Sequence, residues 1–187
     1  DLKKVAIPPF RIASTYDFPS PFIYNIGVLG SSKYAQEDIN KYKNFGIELS
    51  KNNLGLILCN YNGISKQISK GYLEKNKSIY CLIPSGLNVF SSINNLIFLS
   101  PFEMDIKPTR ITYNLNYGIY GSLIDVLVLF QCRIGDYCKD GITSIIDTGT
   151  NFYIHKSATI NKKINEISFS LFNDGCETIN SIYDLSF

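Results

Sequence analysis

Tryptophan is absent from this sequence, histidine and methionine occur once each, and the charges nearly cancel, with 18 Lys and Arg against 16 Asp and Glu in 187 residues. Each scarcity excludes something. A net charge of +2 is too mild to mark a nucleic-acid binder by overall charge, so any anion site must be local. No run approaches the roughly 18–20 apolar residues of a membrane helix, and the densest, Val126 to Phe130, has the length of a buried strand. A soluble chain that avoids membranes is expected. Asp1-Leu2-Lys3-Lys4-Val5 lacks the basic-then-apolar order of a signal peptide. Five cysteines, Cys59, Cys81, Cys132, Cys138 and Cys176, are odd in number and scattered, which predicts reduced thiols and a cytoplasmic location.

The chemistry-bearing residues are equally sparse. Cys132 and Cys138 fit no common zinc spacing and have no second pair, so no metal is expected. His155 closes an expected strand, where a structural or surface role is predicted. Glu37-Asp38, Asp136 and Asp140 read as solvated carboxylates, and no nucleophile comes with a base. There is no Walker A sequence and no full GxGxxG, so a bound nucleoside triphosphate or dinucleotide is not favoured. No cofactor and no catalytic residue is expected.

What is present is core-forming material: 45% hydrophobic residues, including 13 Tyr and 12 Phe. That is enough to offset the ordering entropy of one domain. Residues 1–22 read as an arm punctuated by Pro8, Pro9, Pro19 and Pro21, each lacking an N–H for a ladder. Residues 23–187 read as a single domain. Apolar runs at Tyr24–Leu29, Leu54–Cys59, Ser78–Ile83, Leu96–Leu99, Val126–Phe130 and Phe152–Ile154 alternate with stretches of helical spacing, such as Ile39, Tyr42 and Leu49. Continuously apolar strands are buried on both faces. The expectation is an α/β fold, a mostly parallel sheet with helices on both faces and right-handed crossovers.

In such a sheet, ligands bind beyond the carboxyl ends of the strands, where loop amides and helix N-termini converge. Three loops there carry small and polar residues: Gly30-Ser31-Ser32-Lys33, Asn60-Tyr61-Asn62-Gly63 and Pro84-Ser85-Gly86-Leu87-Asn88. Glycine admits a close backbone approach, and Ser and Asn add hydrogen bonds to phosphate. Lys33 supplies charge to the first loop. Lys66 and Lys70, four apart, share one face of the following helix.

These loops, in this order, resemble signatures of the DprA/Smf family of DNA-processing proteins. Gly30-Ser31-Ser32-Lys33 is similar to a Gly-Ser-Arg-Lys strand end, and Leu58 to Glu74 aligns with a Ser-Gly-x-Ala-x-Gly-Ile-Asp stretch through Gly63, Ile64, Gly71, Leu73 and Glu74. Pro84-Ser85-Gly86-Leu87-Asn88 is similar to Gly-Ser-Gly-Leu-Asp, and Leu99-Ser100-Pro101-Phe102 with Lys107-Pro108 to an Ile-Ser-Glu-x-Pro run. Leu115 to Gly121 falls on Arg-Asn-Arg-Ile-Ile-x-Gly, keeping Asn116 and Gly121 but placing Leu115 and Tyr117 at the arginines. Cys138 to Thr143 and Leu171 to Cys176 resemble two later motifs. Ser32 stands where the family carries another arginine, and Lys156-Ser157 where it carries Pro-Gly.

The resemblance implies an extended Rossmann-like domain, here the family's core alone. It implies a non-enzymatic protein that holds single-stranded DNA without base specificity and presents it to a RecA-type recombinase in DNA uptake, transformation and recombination, with self-association into a homodimer. The implied DNA-contacting set is Gly30, Ser31, Ser32, Lys33, Asn62, Gly63, Lys66, Lys70, Ser85, Gly86, Arg110 and Asn116. Tyr113, Tyr117 and Tyr120, at helical spacing, are candidates to stack bases, although stripes at that spacing are more often core or interface. The alternative is a degenerate Rossmann-like sensor or scaffold that binds a nucleotide-derived ligand or a protein partner. A phosphoribohydrolase would need a Pro-Gly-Gly-x-Gly-Thr motif, which the sequence lacks.

Overall fold

The apolar runs become neighbours in a sheet that is parallel over seven of its nine strands. A computed structural model describes residues 3–7, 10–14, 24–75, 77–89, 96–133, 137–160 and 166–185. The strands are β1 (Lys3–Ile7), β2 (Phe10–Ser14), β3 (Asn25–Leu29), β4 (Gly55–Leu58), β5 (Ile79–Leu82), β6 (Leu96–Ser100), β7 (Val126–Leu129), β8 (Asn151–His155) and β9 (Thr178–Ile179). The helices are α1 (Ile39–Lys51), α2 (Gly63–Leu73), α3 (Arg110–Leu123), α4 (Tyr137–Ile146) and α5 (Glu166–Asn173). Spatial order is β1-β2-β6-β5-β4-β3-β7-β8-β9. The chain therefore moves outward from β3 to β6, then returns to β7 on the other side of β3.

Every residue of β4, β5, β6 and β7 is buried, which is why these runs are apolar without alternation. Successive side chains still point to opposite faces. Val126, Val128 and Phe130 join the layer under α1 and α2, while Leu127 and Leu129 join the one under α3, α4 and α5. The α1–α2 contact is made by two glycines: a Cβ on Gly46 would overlap the Ile68 carbonyl oxygen, and one on Gly71 the Lys43 carbonyl oxygen. An ion pair from Lys43 Nζ to Glu74 at 3.2 Å closes the end of that crossing. Across the sheet, α3 begins at a capping box in which Thr109 and Thr112 exchange side-chain-to-amide bonds. Gly141 lies against the ring of Tyr117, so it and Gly121 bring α3 and α4 together.

The first residues differ from the arm expected of them. Lys3–Ile7 and Phe10–Ser14 form an antiparallel pair whose second strand joins β6 antiparallel, extending the sheet. Pro8, Pro9, Pro19 and Pro21 all lie outside the described residues; the first two fall between the strands in sequence, so neither strand loses an amide to proline.

The cysteines are a second correction. Cys132 and Cys138 are joined in a disulfide, so the expectation of five reduced thiols does not hold. Cys132, just beyond β7, and Cys138, at the start of α4, have Cα atoms 6.2 Å apart, within bridging distance. Cys59 and Cys81 remain free and buried, and desolvation pushes both thiols well up, leaving them protonated at neutral pH. Among the described residues, no helix is long and apolar enough to cross a membrane, and no group of three His, Cys, Asp or Glu could hold a metal ion.

Candidate nucleic-acid interface

The reversal of strand order at β3 and β7 fixes the crevice where loops on the carboxyl side diverge. Two loops meet there. The Ser31 amide donates to the Gln131 carbonyl at 2.7 Å, and the Ser31 carbonyl accepts from the Ile64 amide at 3.2 Å. The loop after β3 thus caps the N-terminus of α2 and is tied to the end of β7. Gly63 has φ of +46°, and a Cβ there would overlap the Ser31 carbonyl oxygen and lie 2.5 Å from Ser32 Cα. Both the backbone conformation and the contact require glycine.

Residues outside the expected DNA-contacting set hold this arrangement. Gln67 donates to the Tyr34 hydroxyl at 2.6 Å, and Tyr34 packs edge-on against Tyr42 at 5.8 Å, anchoring the loop directly behind Lys33. Asp38, expected to be solvated, is instead buried, accepting from Gln131 Nε2 at 3.0 Å and from Lys41 Nζ at 2.7 Å. Gln131 and half-buried Arg133 follow the apolar run of β7 directly. Applying the strand-end rule to the second strand of the switch point would have found them.

The expected DNA-contacting residues separate into three groups. Ser32, Lys33, Asn62, Lys66, Lys70 and Arg110 reach solvent. Lys66 lies 5.7 Å above the Tyr61 ring, and Lys66 and Lys70 share the outer face of α2. Arg110 opens α3 at the same edge of the sheet, where exposed Lys107 adds a cation and exposed Glu103 and Asp105 offset them.

A second group is internal. Gly30 packs on Ile64, and Ser31 and Asn116 are buried, the latter donating from Nδ2 to the Leu82 carbonyl at 3.3 Å and so tying α3 to the end of β5. The third loop is stitched to the chain after β6. The Gly86 amide donates to Ile106 O at 2.8 Å, the Asn88 amide to Met104 O at 2.9 Å, and Ser85 O accepts from Ser100 Oγ at 2.7 Å. Those two amides already have backbone partners.

Burial decides the tyrosine stripe in favour of the core. Tyr117 and Tyr120 are 2% and 0% exposed, so neither can stack on a base, while Tyr113 is half-buried. The hydroxyl of Tyr120 reaches between β3 and β4, accepting from the Val28 amide at 2.8 Å and donating to Ile57 O at 2.9 Å. Of the two positions where the resemblance expects arginine on α3, only Leu115 faces solvent; Tyr117 faces the core.

His155 is structural. Its Nδ1 accepts from the Ser157 amide at 3.2 Å and Nε2 donates to Asn180 O at 3.1 Å, partners that assign the neutral ring. The ring stacks on Phe130 at 4.7 Å, and burial pushes its pKa down to about 4.

The overall fold matches a known architecture. The fold is that of DNA processing protein A. A structure of that protein from Helicobacter pylori, described for its single-stranded DNA binding mode, superposes with a TM-score of 0.78 and 13% identity, covering 98% of this chain and 93% of that one. The Streptococcus pneumoniae protein gives a TM-score of 0.74 and 14% identity over 88% of this chain, which spans 62% of its length. A molybdenum cofactor binding protein from Rippkaea orientalis shares the fold more distantly, with a TM-score of 0.58 and 15% identity over 84% of this chain and 90% of that one. No protein-family model and no curated protein matches the sequence.

Proposed function

We propose that this protein binds single-stranded DNA in the manner of DNA processing protein A, without base specificity and without covalent chemistry. The observation that carries the reading is the paired loop at the switch point. Ser32 and Lys33 after β3, and Asn62 and Lys66 at the start of α2, are exposed on a backbone locked by the Gly63–Ser31 contact. Rigid polar loops bearing cations capture a phosphate backbone and read no base edges. Arg110 and Lys107 extend the track toward α3. The protein would act inside the cell, presenting the strand to a RecA-type recombinase during DNA uptake, transformation and recombination, and would self-associate.

A titration of labelled oligothymidylate at low and at physiological salt tests this reading. The log–log salt slope is expected near −0.7 per phosphate neutralised, and the double variant Lys33→Glu, Lys66→Glu should weaken binding roughly tenfold or more and flatten the slope by about 1.4. Undetectable binding by the unaltered protein at low salt overturns the reading.

A further inference from the structure

A cleft of about 310 Å³ opens between α1 and the turn that follows β8. One wall is a stripe of α1, Lys41, Asn44 and Glu48, with Phe45 beneath; the other is Lys156, Ile160 and Asn180. The volume is at the small end of ligand pockets, the size class of a single nucleotide.

The cleft is polarised along its length. Helix α1 begins at the carboxyl edge of the sheet, and Lys156 is the first residue beyond β8 at that edge, so Lys41 and Lys156 form the cationic end. Glu48 lies seven residues further along α1, roughly 10 Å away. The charge of Lys41 is shared with Asp38 at 2.7 Å. Lys156 has no ion pair among the described residues; Asp184 is the carboxylate that feels its charge. The side chains of Asn44, Glu48 and Asn180 likewise have no hydrogen-bond partner among the described residues. Ile160 is 76% exposed, an apolar rim opposite the Phe45 edge.

A ligand that satisfies all of these at once carries an anion at one end, a flat apolar ring in the middle, and amine and ring-nitrogen groups at the other end. Asn pairs in two-pronged fashion with the amine and ring nitrogen of adenine, and Glu accepts from an exocyclic amine. We propose that this cleft binds a nucleoside monophosphate whose base carries an exocyclic amine, adenylate above all, with the phosphate at Lys156 and Lys41 and the base edge at Asn44 and Glu48. The site shares no residue with the DNA-contacting set, and the assignment stands or falls without it.

Thermal unfolding of the full chain with adenylate, uridylate, adenosine or inorganic phosphate tests the assignment. Adenylate at about tenfold its Kd should raise the melting temperature by about 3–6 °C. Uridylate, adenosine and phosphate should each give less than half of that shift. Lys156→Glu, on an exposed side chain, and the near-isosteric Glu48→Gln should melt normally without ligand and lose the adenylate response. The Lys33→Glu, Lys66→Glu variant should keep it. No shift with any nucleotide at millimolar concentration, a full shift with phosphate alone, or an undiminished response in both cleft variants overturns the proposal. Oligonucleotide binding without an adenylate response would leave the DNA reading standing and this one refuted, and the converse would do the reverse.

Discussion

Replacing Tyr120 by Phe removes one oxygen atom and should cost far more than one hydrogen bond. The Tyr120 hydroxyl bridges β3 and β4 beyond their last paired residues, Gly27 and Ile57, in a place where the side chain is 0% exposed. Gly27 makes the room, since a Cβ there would lie 2.7 Å from that oxygen. Removing the hydroxyl leaves the Val28 amide and the Ile57 carbonyl facing each other across a gap that water does not reach. An exchanged hydrogen bond is worth about 1 kcal/mol net, but each buried group left without a partner costs about 1–3 kcal/mol. The expected loss for Tyr120→Phe is therefore about 2–4 kcal/mol, or roughly 5–15 °C in melting temperature for a domain of this size. Urea unfolding is the assay, with an unchanged m-value showing that the same surface is exposed on unfolding. Tyr183→Phe is the control, because Tyr183 is 73% exposed and its hydroxyl takes one long bond from Asn52 at 3.4 Å; it should change stability by less than about 0.5 kcal/mol. A Tyr120→Phe variant within about 1 kcal/mol of the parent would refute the reasoning, since the two backbone groups would then have found other partners.

Glycines on different helices should respond with opposite signs. Gly71→Ala drives a methyl into the Lys43 carbonyl and should destabilise by about 1–3 kcal/mol or more, while Gly118→Ala, with nothing within 4 Å of the new methyl on the outer face of α3, should stabilise by about 0.5–1 kcal/mol; chemical denaturation reads both. Acid should also act through His155. Its pKa is lowered to about 4 in the fold, chiefly by burial, against an ordinary value of 6.5, so the unfolded chain binds the proton more readily and stability falls as pH drops through that window. The loss should reach roughly 2–3 kcal/mol by pH 4. Urea midpoints measured between pH 7 and pH 4 should fall more steeply for the parent than for His155→Asn, and parallel curves would count against a buried neutral imidazole.

Several family-like positions proved to be packing positions once their neighbours were visible. Gly71 and Glu74, which align with a signature of DNA-processing proteins, sit at the α1–α2 crossing, one as the close backbone contact and the other in the ion pair to Lys43. Gly121 and Gly141 do the same between α3 and α4. Tyr117, read as a lost arginine and as a base-stacking candidate, points into the core because helical spacing alone does not say which face meets the sheet. The four prolines outweighed the strand character of Lys3–Ile7 and Phe10–Ser14, whose pairing depends on β6, a segment more than eighty residues away in sequence.

The sequence by itself determined the alternation of buried strands and amphipathic helices, the parallel sheet and the place of the strand-end loops. Hydrophobic period is a local property, and burial on both faces makes the central strands almost continuously apolar. Only the tertiary structure decided which loops meet. The crevice is set by β7 returning beside β3, Gly63 is needed because Ser31 comes to lie against it, and the amides of Gly86 and Asn88 are occupied because the chain after β6 folds over them. The bridge from Val28 to Tyr120, 92 residues apart, and the disulfide from Cys132 to Cys138 are likewise contacts between groups that no local pattern pairs.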